Sequence, residues 1–244
     1  MNIKFLESEE SKEAAGIPGH FPYPVAIIGG ERALETLIEV DASHPGATAV
    51  LIGTADFAGG LAENLNAYDT APDAVLAKAG EVNLAEWFRG REAETRECFE
   101  EGDWPLGGGV WPEHIQPVNR LMTAGDILTG KPLDEMVMVL LPTANPWEVN
   151  AYLQYGGWNE CPMPEVHCAV AKRWWDECGA YIASVNDSVV EYRVLRPIRD
   201  REQALAVATE QFLYCTDIVS QSTGTVEALA KALLDSSVWY FWWD

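Results

Sequence analysis

The chain has 244 residues, 48% of them hydrophobic and 22% charged, which is a globular composition and enough for one large domain or two smaller ones. Sixteen lysine and arginine residues against 38 aspartate and glutamate residues give a formal net charge of −22. Such a negative surface repels phosphate groups, so we expect neither nucleic acid nor an anionic membrane as a partner.

The first half of the sequence predicts alternating strands and helices. A strand at 24–28 ends at Gly29 and Gly30, and apolar residues then recur at helical spacing over 31–40. A second strand at 48–52 completes a strand–helix–strand unit of about 30 residues, the length that a parallel crossover needs. Further helices are predicted at 61–67, 72–79 and 84–99.

A long segment rich in glycine and proline follows at 102–135. This composition is typical of a connection between domains. We therefore predict an N-terminal α/β lobe over 1–103, a connection over 104–135 and a C-terminal α+β domain over 136–244.

The C-terminal domain is predicted to contain a mostly antiparallel four-stranded sheet. Its strands are predicted at 136–141, 181–185, 189–195 and 238–243, and the helices that pack on it at 147–153, 164–178, 199–215 and 225–234. The last strand has six consecutive apolar residues. These cannot alternate between core and solvent, so we expect both faces of that strand to be buried. The predicted fold class is thus α/β followed by α+β.

Six segments of the second half carry a family resemblance. They read PWEVNAYL at 146–153, GGWNECP at 156–162, REQAL at 201–205, EQFLYC at 210–215, DIV at 217–219 and WYFWWD at 239–244. In this order, over 137–244, they resemble a bacterial family known as domain of unknown function 4253. Thr216 departs from the family pattern, which has proline there, and the first half is similar only in outline. The resemblance implies no activity, cofactor or catalytic residue.

The cysteines and the N-terminus indicate a reducing compartment. Five cysteines, at 98, 161, 168, 178 and 215, form no CxxC pair, the acidic N-terminus does not resemble a signal peptide, and no apolar run reaches the roughly 18 residues of a membrane span. We therefore expect reduced thiols and a cytoplasmic location. A zinc site of Cys161, His167, Cys168 and Cys178 would have spacings that match no standard zinc motif, so we expect no metal and no cofactor.

The segment 158–162 concentrates residue types that can act chemically. Cys161 precedes a helix N-terminus, where backbone N–H groups and the helix dipole could lower a thiol pKa, and His167 could serve as its base. One hypothesis is therefore a small hydrolase or transferase that uses Cys161 or a cleft between the lobes. Against catalysis, His167 falls within the apolar stripe of its helix, and Glu160 disfavours a thiolate beside it. The favoured interpretation is a structural loop whose Asn159 and Glu160 cap the next helix.

Two other patterns have simpler explanations. Asp187, Glu191 and Arg193 resemble the metal-binding core of restriction-type nucleases, in which carboxylates hold Mg²⁺ and a lysine assists. Here arginine replaces the lysine, and the net charge opposes DNA. The polar face of a hairpin explains Glu191 and Arg193. The stretch Gly29-Gly30-Glu31 lacks the spacing of a phosphate-binding loop, and its glutamate would repel an anion.

Ten tryptophans are present, and most are expected in the core. Trp158, between Gly157 and Asn159, is the one expected at the surface, and with Asn159, Glu160 and Trp147 it forms the predicted binding site. The leading hypothesis is a non-enzymatic module that binds a basic protein, for instance an immunity- or antitoxin-like protein against a nuclease.

Overall fold

The computed structural model describes residues 3–67, 70–100 and 102–244 as a mixed α/β fold. Within these residues the strands are β1 (Val25–Ile28), β2 (Thr48–Leu51), β3 (Met136–Leu141), β4 (Ala180–Asn186), β5 (Val189–Val194) and β6 (Val238–Trp242). They form one sheet in the order β1-β3-β2-β4-β5-β6. Neighbouring strands are antiparallel except β2 and β4, which are parallel. Consequently β1, β2, β4 and β6 run in the same direction, and their C-terminal ends lie on the same side of the sheet.

This sheet corrects the prediction of a four-stranded, mostly antiparallel sheet in the C-terminal domain. The strands β3 to β6 are present, but β2 from the first half lies between β3 and β4, so the sheet is six-stranded and mixed. All four residues of β2 are buried, and a strand buried on both faces belongs inside a sheet. Periodicity shows that a strand is buried but not which strands flank it. The division at 104–135 stays a prediction.

Helices surround the sheet. In the described part of the chain they are α1 (Glu9–Glu13), α2 (Ala33–Ser43), α3 (Ala55–Ala67), α4 (Pro72–Glu81), α5 (Leu84–Glu97), α6 (Val149–Leu153), α7 (Pro164–Cys178), α8 (Arg201–Tyr214) and α9 (Val226–Leu233). The main difference from the prediction is α3, which begins at Ala55 and not at residue 61. Gly59 and Gly60 weaken its sequence pattern, yet the Ala58 N–H donates to the Thr54 carbonyl oxygen (3.1 Å) and the first turn forms.

The two faces of the sheet pack into two cores. Along β3, Val137 and Val139 face the larger core, whereas Met136 and Met138 face the smaller one, which contains residues of α2. This is the alternation expected of a strand buried on both faces. Trp174 of α7 is fully buried in the larger core and stacks on Phe241 of β6, with ring centroids 5.6 Å apart.

The last strand is less enclosed than predicted. Trp239, Phe241 and Trp243 are buried in the larger core, but Tyr240 and Trp242 are only half-buried. The reason is that β6 lies at the edge of the sheet, where its second face has fewer neighbours. The strand therefore buries one face fully and the other in part.

Glu191 links the connection to the sheet by hydrogen bonds. This corrects the prediction that the Glu191 side chain lies on a polar face. Its side chain is fully buried in β5. The carboxylate accepts the backbone N–H groups of Met122 (2.6 Å) and Thr123 (3.1 Å) and the Thr123 hydroxyl (2.5 Å). Local alternation cannot show that a distant segment covers this part of the hairpin. No helix among the described residues has both the length and the apolar character needed to cross a membrane.

Candidate functional site

A cavity lies beyond the C-terminal ends of the central strands β2 and β4, which are neighbours in the sheet. Its volume is about 590 Å³. The chain after β2 contributes Thr54, Asp56, Phe57, Leu61 and Asn64, and the chain after α6 and β4 contributes Gln154, Tyr155, Trp158 and Asp187. The crevice beyond the carboxyl ends of parallel strands is a frequent ligand site in open α/β sheets.

The charged side chains that line this cavity are acidic. Asp56 and Asp187 are both exposed, and within the described residues neither carboxylate forms an ion pair or a hydrogen bond. The described lining residues include no lysine and no arginine. A second cavity, of about 230 Å³, shares Thr54 and Asp56 with the first and adds Glu135. We call the larger cavity the acidic cleft.

The loop between α6 and α7 forms one part of the cleft and depends on left-handed backbone. Gln154, Gly156, Gly157 and Asn159 have φ angles of 50°, 113°, 83° and 47°. A Cβ atom at Gly156 would lie 2.1 Å from the Pro162 carbonyl oxygen. Only glycine therefore fits at this point, where the two ends of the loop approach each other.

Trp158 is half-buried in this loop and lines the acidic cleft. Its ring makes edge contacts with Tyr155 and Trp243, with centroid distances of 5.7 and 6.4 Å. Trp158 is thus fixed by the core while it remains in contact with the cleft. The sequence predicts Trp158 at the surface, and in the structure this side chain is half-buried.

The neighbouring residues Asn159 and Glu160 are exposed. The Asn159 side-chain amide donates to the Asp244 carbonyl oxygen (2.8 Å), and Glu160 forms an ion pair with Arg91 of α5 (2.7 Å). The predicted cap of α7 is therefore wrong, because both side chains bond elsewhere and α7 starts without a side-chain cap. We call Trp158, Asn159 and Glu160 the loop rim.

Trp147, the fourth predicted binding residue, packs in a different environment. It lies in the short 3₁₀ helix Pro146–Glu148. Its ring centroid is 5.7 Å from that of Trp175, and the Lys172 ammonium lies 4.9 Å from the ring. These two ring contacts are with residues of α7, which is not part of the loop rim.

Cys161 and His167 are brought together behind the loop rim. Cys161 Sγ lies 3.4 Å from His167 Nε2. The other ring nitrogen, Nδ1, hydrogen-bonds the hydroxyl of Tyr214, which lies 3.3 Å from the hydroxyl of Tyr192. A thiol, an imidazole and a group that orients the imidazole follow the order found in nucleophilic catalysis.

Burial opposes such catalysis. His167 has no exposed surface, and Cys161 is 5% exposed. Burial lowers the pKa of His167 from its usual 6.5 to about 3 and raises the pKa of Cys161 well above its usual value. The pair is therefore a neutral thiol and a neutral imidazole at pH 7. Desolvation of the buried thiol thus outweighs the lowering of its pKa that the N-terminus of α7 could provide.

The residues of the zinc and nuclease hypotheses are not assembled into sites. Cys168 lies in a separate small cluster with residues of α4 and α6. Among the described residues, no group of three histidine, cysteine, aspartate or glutamate side chains is placed to hold a metal ion. Glu191 binds backbone N–H groups in the interior and does not join the exposed Asp187.

Most of the acidic cleft could not be found from the sequence. Asp56 and Phe57 lie in the first turn of α3, which the sequence pattern did not predict. The available signal was Gly53 followed by Thr54 directly after a buried strand, a place where sites often form. Asp187 lies beside the residues that follow β2 because β2 pairs in parallel with β4. This pairing depends on the topology of the whole sheet.

Comparison with protein families gives a match for the second part of the chain. The matching family is described as a domain of unknown function, DUF4253. Residues 137–244 match DUF4253. The DUF4253 region contains the loop rim, Cys161, His167 and Asp187, whereas Asp56 and the rest of α3 lie outside it. Comparisons with curated proteins and with solved structures gave no significant match.

Proposed function

We propose that this protein is a non-enzymatic module that binds a basic protein. The observation that carries the proposal is the acidic cleft beside the loop rim. The carboxylates of Asp56 and Asp187 in this cleft have no cation paired with them in the described structure. The net charge of −22 extends this negative field over the whole chain. Opposite charge speeds the encounter with a basic partner and disfavours acidic ones.

A more specific form of the proposal is an immunity- or antitoxin-like protein that covers a nuclease. Proteins that act on nucleic acids present basic surfaces to the phosphate groups. An acidic module that binds such a surface would block access of the nucleic acid. All five cysteines are free thiols, which supports the cytoplasmic location that this role requires.

The proposal is tested by capture from a lysate of the protein's own source. The full chain is immobilised and incubated with lysate at low and at high salt, and captured proteins are identified by mass spectrometry. We expect a basic protein that is captured at low salt and lost at high salt, because exposed charges are screened. Trp158→Ala and Glu160→Ala should each reduce its capture by about tenfold or more.

Two variants serve as matched controls. Glu94→Ala removes another carboxylate that pairs with Arg91 (3.5 Å) but lies outside the loop rim. Trp111→Ala removes another half-buried tryptophan, one that packs on Arg201. Both controls should capture the partner as the wild type does. Equal loss in the controls, or capture of no basic protein, would contradict the proposal.

A hydrolase or transferase that uses Cys161 is the second candidate, favoured by the 3.4 Å distance between its thiol and His167. Iodoacetamide alkylation of the native protein at neutral pH separates the two candidates. We expect slow reaction of Cys161, because its raised pKa keeps the thiol protonated. The exposed Cys98 should react first and serves as the internal control. Rapid, selective alkylation of Cys161 would favour the enzyme.

A further inference from the structure

The acidic cleft has the size of a ligand site and lacks an internal counter-charge. Its volume of about 590 Å³ is within the roughly 300–1,000 Å³ that is usual for ligand pockets. Asp56 is contributed by α3 and Asp187 by the turn after β4, so the two carboxylates come from elements far apart in the sequence. A concave surface with one sign of charge concentrates the opposite charge from solution.

The aromatic residues of the cleft indicate which class of cation it would bind. Phe57 and Trp158 line it together with the two carboxylates, and both are half-buried. Trp158 is held in place by its contacts with Tyr155 and Trp243. A fixed indole face attracts organic cations, arginine most often.

A guanidinium group suits this combination better than an ammonium group. It is planar, it can stack on an aromatic ring, and its five N–H donors can serve carboxylates from different directions at once. Within the described residues, the guanidinium groups of Arg96 and Arg201 lie 4.5 and 4.2 Å from the rings of Trp104 and Trp111, and the one ammonium in such a contact, that of Lys172, lies 4.9 Å from the ring of Trp147. An anionic ligand would meet Asp56 and Asp187 with no cationic side chain among the described lining residues.

We propose that the acidic cleft receives an arginine side chain of the basic partner, which Asp56 and Asp187 bind by charge-assisted hydrogen bonds while Trp158 packs against the guanidinium plane. The inference rests on the proposed function, and it assigns the specificity for the basic partner to the acidic cleft. The lysine side chains of the partner contribute general attraction to the surface and do not replace the arginine.

The test measures binding of labelled hexa-arginine and hexa-lysine peptides to the full chain by fluorescence anisotropy at low salt. The wild type should bind hexa-arginine roughly fivefold or more tighter than hexa-lysine of equal charge. The double substitution Asp56→Asn with Asp187→Asn should weaken hexa-arginine binding roughly tenfold. Its melting temperature should match that of the wild type, since both side chains are exposed.

The matched control is the double substitution Glu81→Gln with Glu202→Gln, which removes the same charge from exposed positions outside both cavities. It should keep hexa-arginine binding within about twofold, the range of a general charge effect on the surface. Equal weakening by the two double variants, or equal binding of both peptides, would overturn the arginine site while leaving the capture of a basic protein intact. Loss of that capture in the lysate experiment would instead overturn the proposed function.

Discussion

The chemistry of single residues depends here on burial more than on distance. Cys161 and His167 have the types and the separation of a catalytic pair, yet both are removed from water and remain uncharged. The apolar stripe in α7 predicts the burial of His167, and the structure confirms that burial. Its bond to Tyr214 of α8 could not be predicted, because it depends on how two helices pack.

The buried His167 should make the stability of the protein depend on pH. Its pKa in the folded state, about 3, lies below its usual value of 6.5, so its contribution is fully present above pH 6.5 and is lost as the pH falls below that value. At pH 5 the loss is about 2 kcal/mol, because each pH unit corresponds to about 1.4 kcal/mol. Urea unfolding at pH 7 and pH 5, for the wild type and for His167→Gln, measures this loss.

The comparison with the variant isolates the histidine. Carboxylates elsewhere titrate alike in both proteins, so their effect cancels in the difference between the two free energies of unfolding. That difference should shrink by about 2 kcal/mol between pH 7 and pH 5. A difference that stays constant with pH would show that His167 is protonated as easily in the folded state as in the unfolded chain.

At the scale of elements, the loop between α6 and α7 determines which side chains line one part of the acidic cleft. It places Trp158 against the core and leaves Asn159 and Glu160 exposed, and this arrangement depends on the backbone at Gly156. The sequence indicates the loop through its glycines and proline. It cannot indicate the left-handed angles at Gln154 and Asn159, because these residues also adopt ordinary conformations.

Gly156→Ala should therefore destabilise the loop and the fold. The new methyl group would meet the Pro162 carbonyl oxygen at 2.1 Å, at a φ of 113° that alanine rarely adopts. We expect a loss of roughly 1–3 kcal/mol or more in the free energy of unfolding, measured by urea titration. Gly80→Ala in α4 is the control, since its added Cβ would have no described atom within 4 Å beyond its chain neighbours and the adjacent backbone of its own helix. A Gly156→Ala protein as stable as the wild type would show that the loop rearranges freely.

Most helices and strands could be predicted because their signals are local. The apolar periodicity of α7 predicts residues 164–178, and the structure has Pro164–Cys178. The strand β3 is also found where its apolar run predicts it, at Met136–Leu141. One error occurs where distant segments meet, at Glu191 of β5, because the connection that covers it is a tertiary contact that a local pattern does not contain. The other is the first turn of α3, where Gly59 and Gly60 weaken the local pattern itself.

At the scale of the whole molecule, the sheet joins the two parts of the chain that composition separates. The strand β2 lies before the glycine- and proline-rich connection, but its neighbours β3 and β4 both lie after it. The acidic cleft has the same dual origin, because α3 contributes Asp56 and the turn after β4 contributes Asp187. The DUF4253 region, residues 137–244, thus contains only part of the sheet and part of the cleft.

This topology predicts that the C-terminal domain, expressed as residues 136–244, does not fold on its own. Without β2, the facing edges of β3 and β4 lose their hydrogen-bond partners, and the buried residues Val50 and Ile52 leave a gap in the larger core. Each unpaired buried backbone group costs about as much as a lost hydrogen bond, and the sum of several such groups with the lost core contacts is comparable to the net stability of a domain. We expect a fragment without a cooperative thermal transition, measured by circular dichroism and calorimetry.

The full chain is the positive control, and co-expression with residues 1–103 supplies β2 in a separate molecule. If β2 is the missing component, the two fragments should associate and regain a cooperative transition, because the strand can pair with β3 and β4 without covalent linkage. A 136–244 fragment that melts cooperatively alone would instead show that β3 and β4 can pair directly. In that case the mostly antiparallel four-stranded sheet predicted for this region would be a stable fold of its own, and β2 an insertion that completes the cleft.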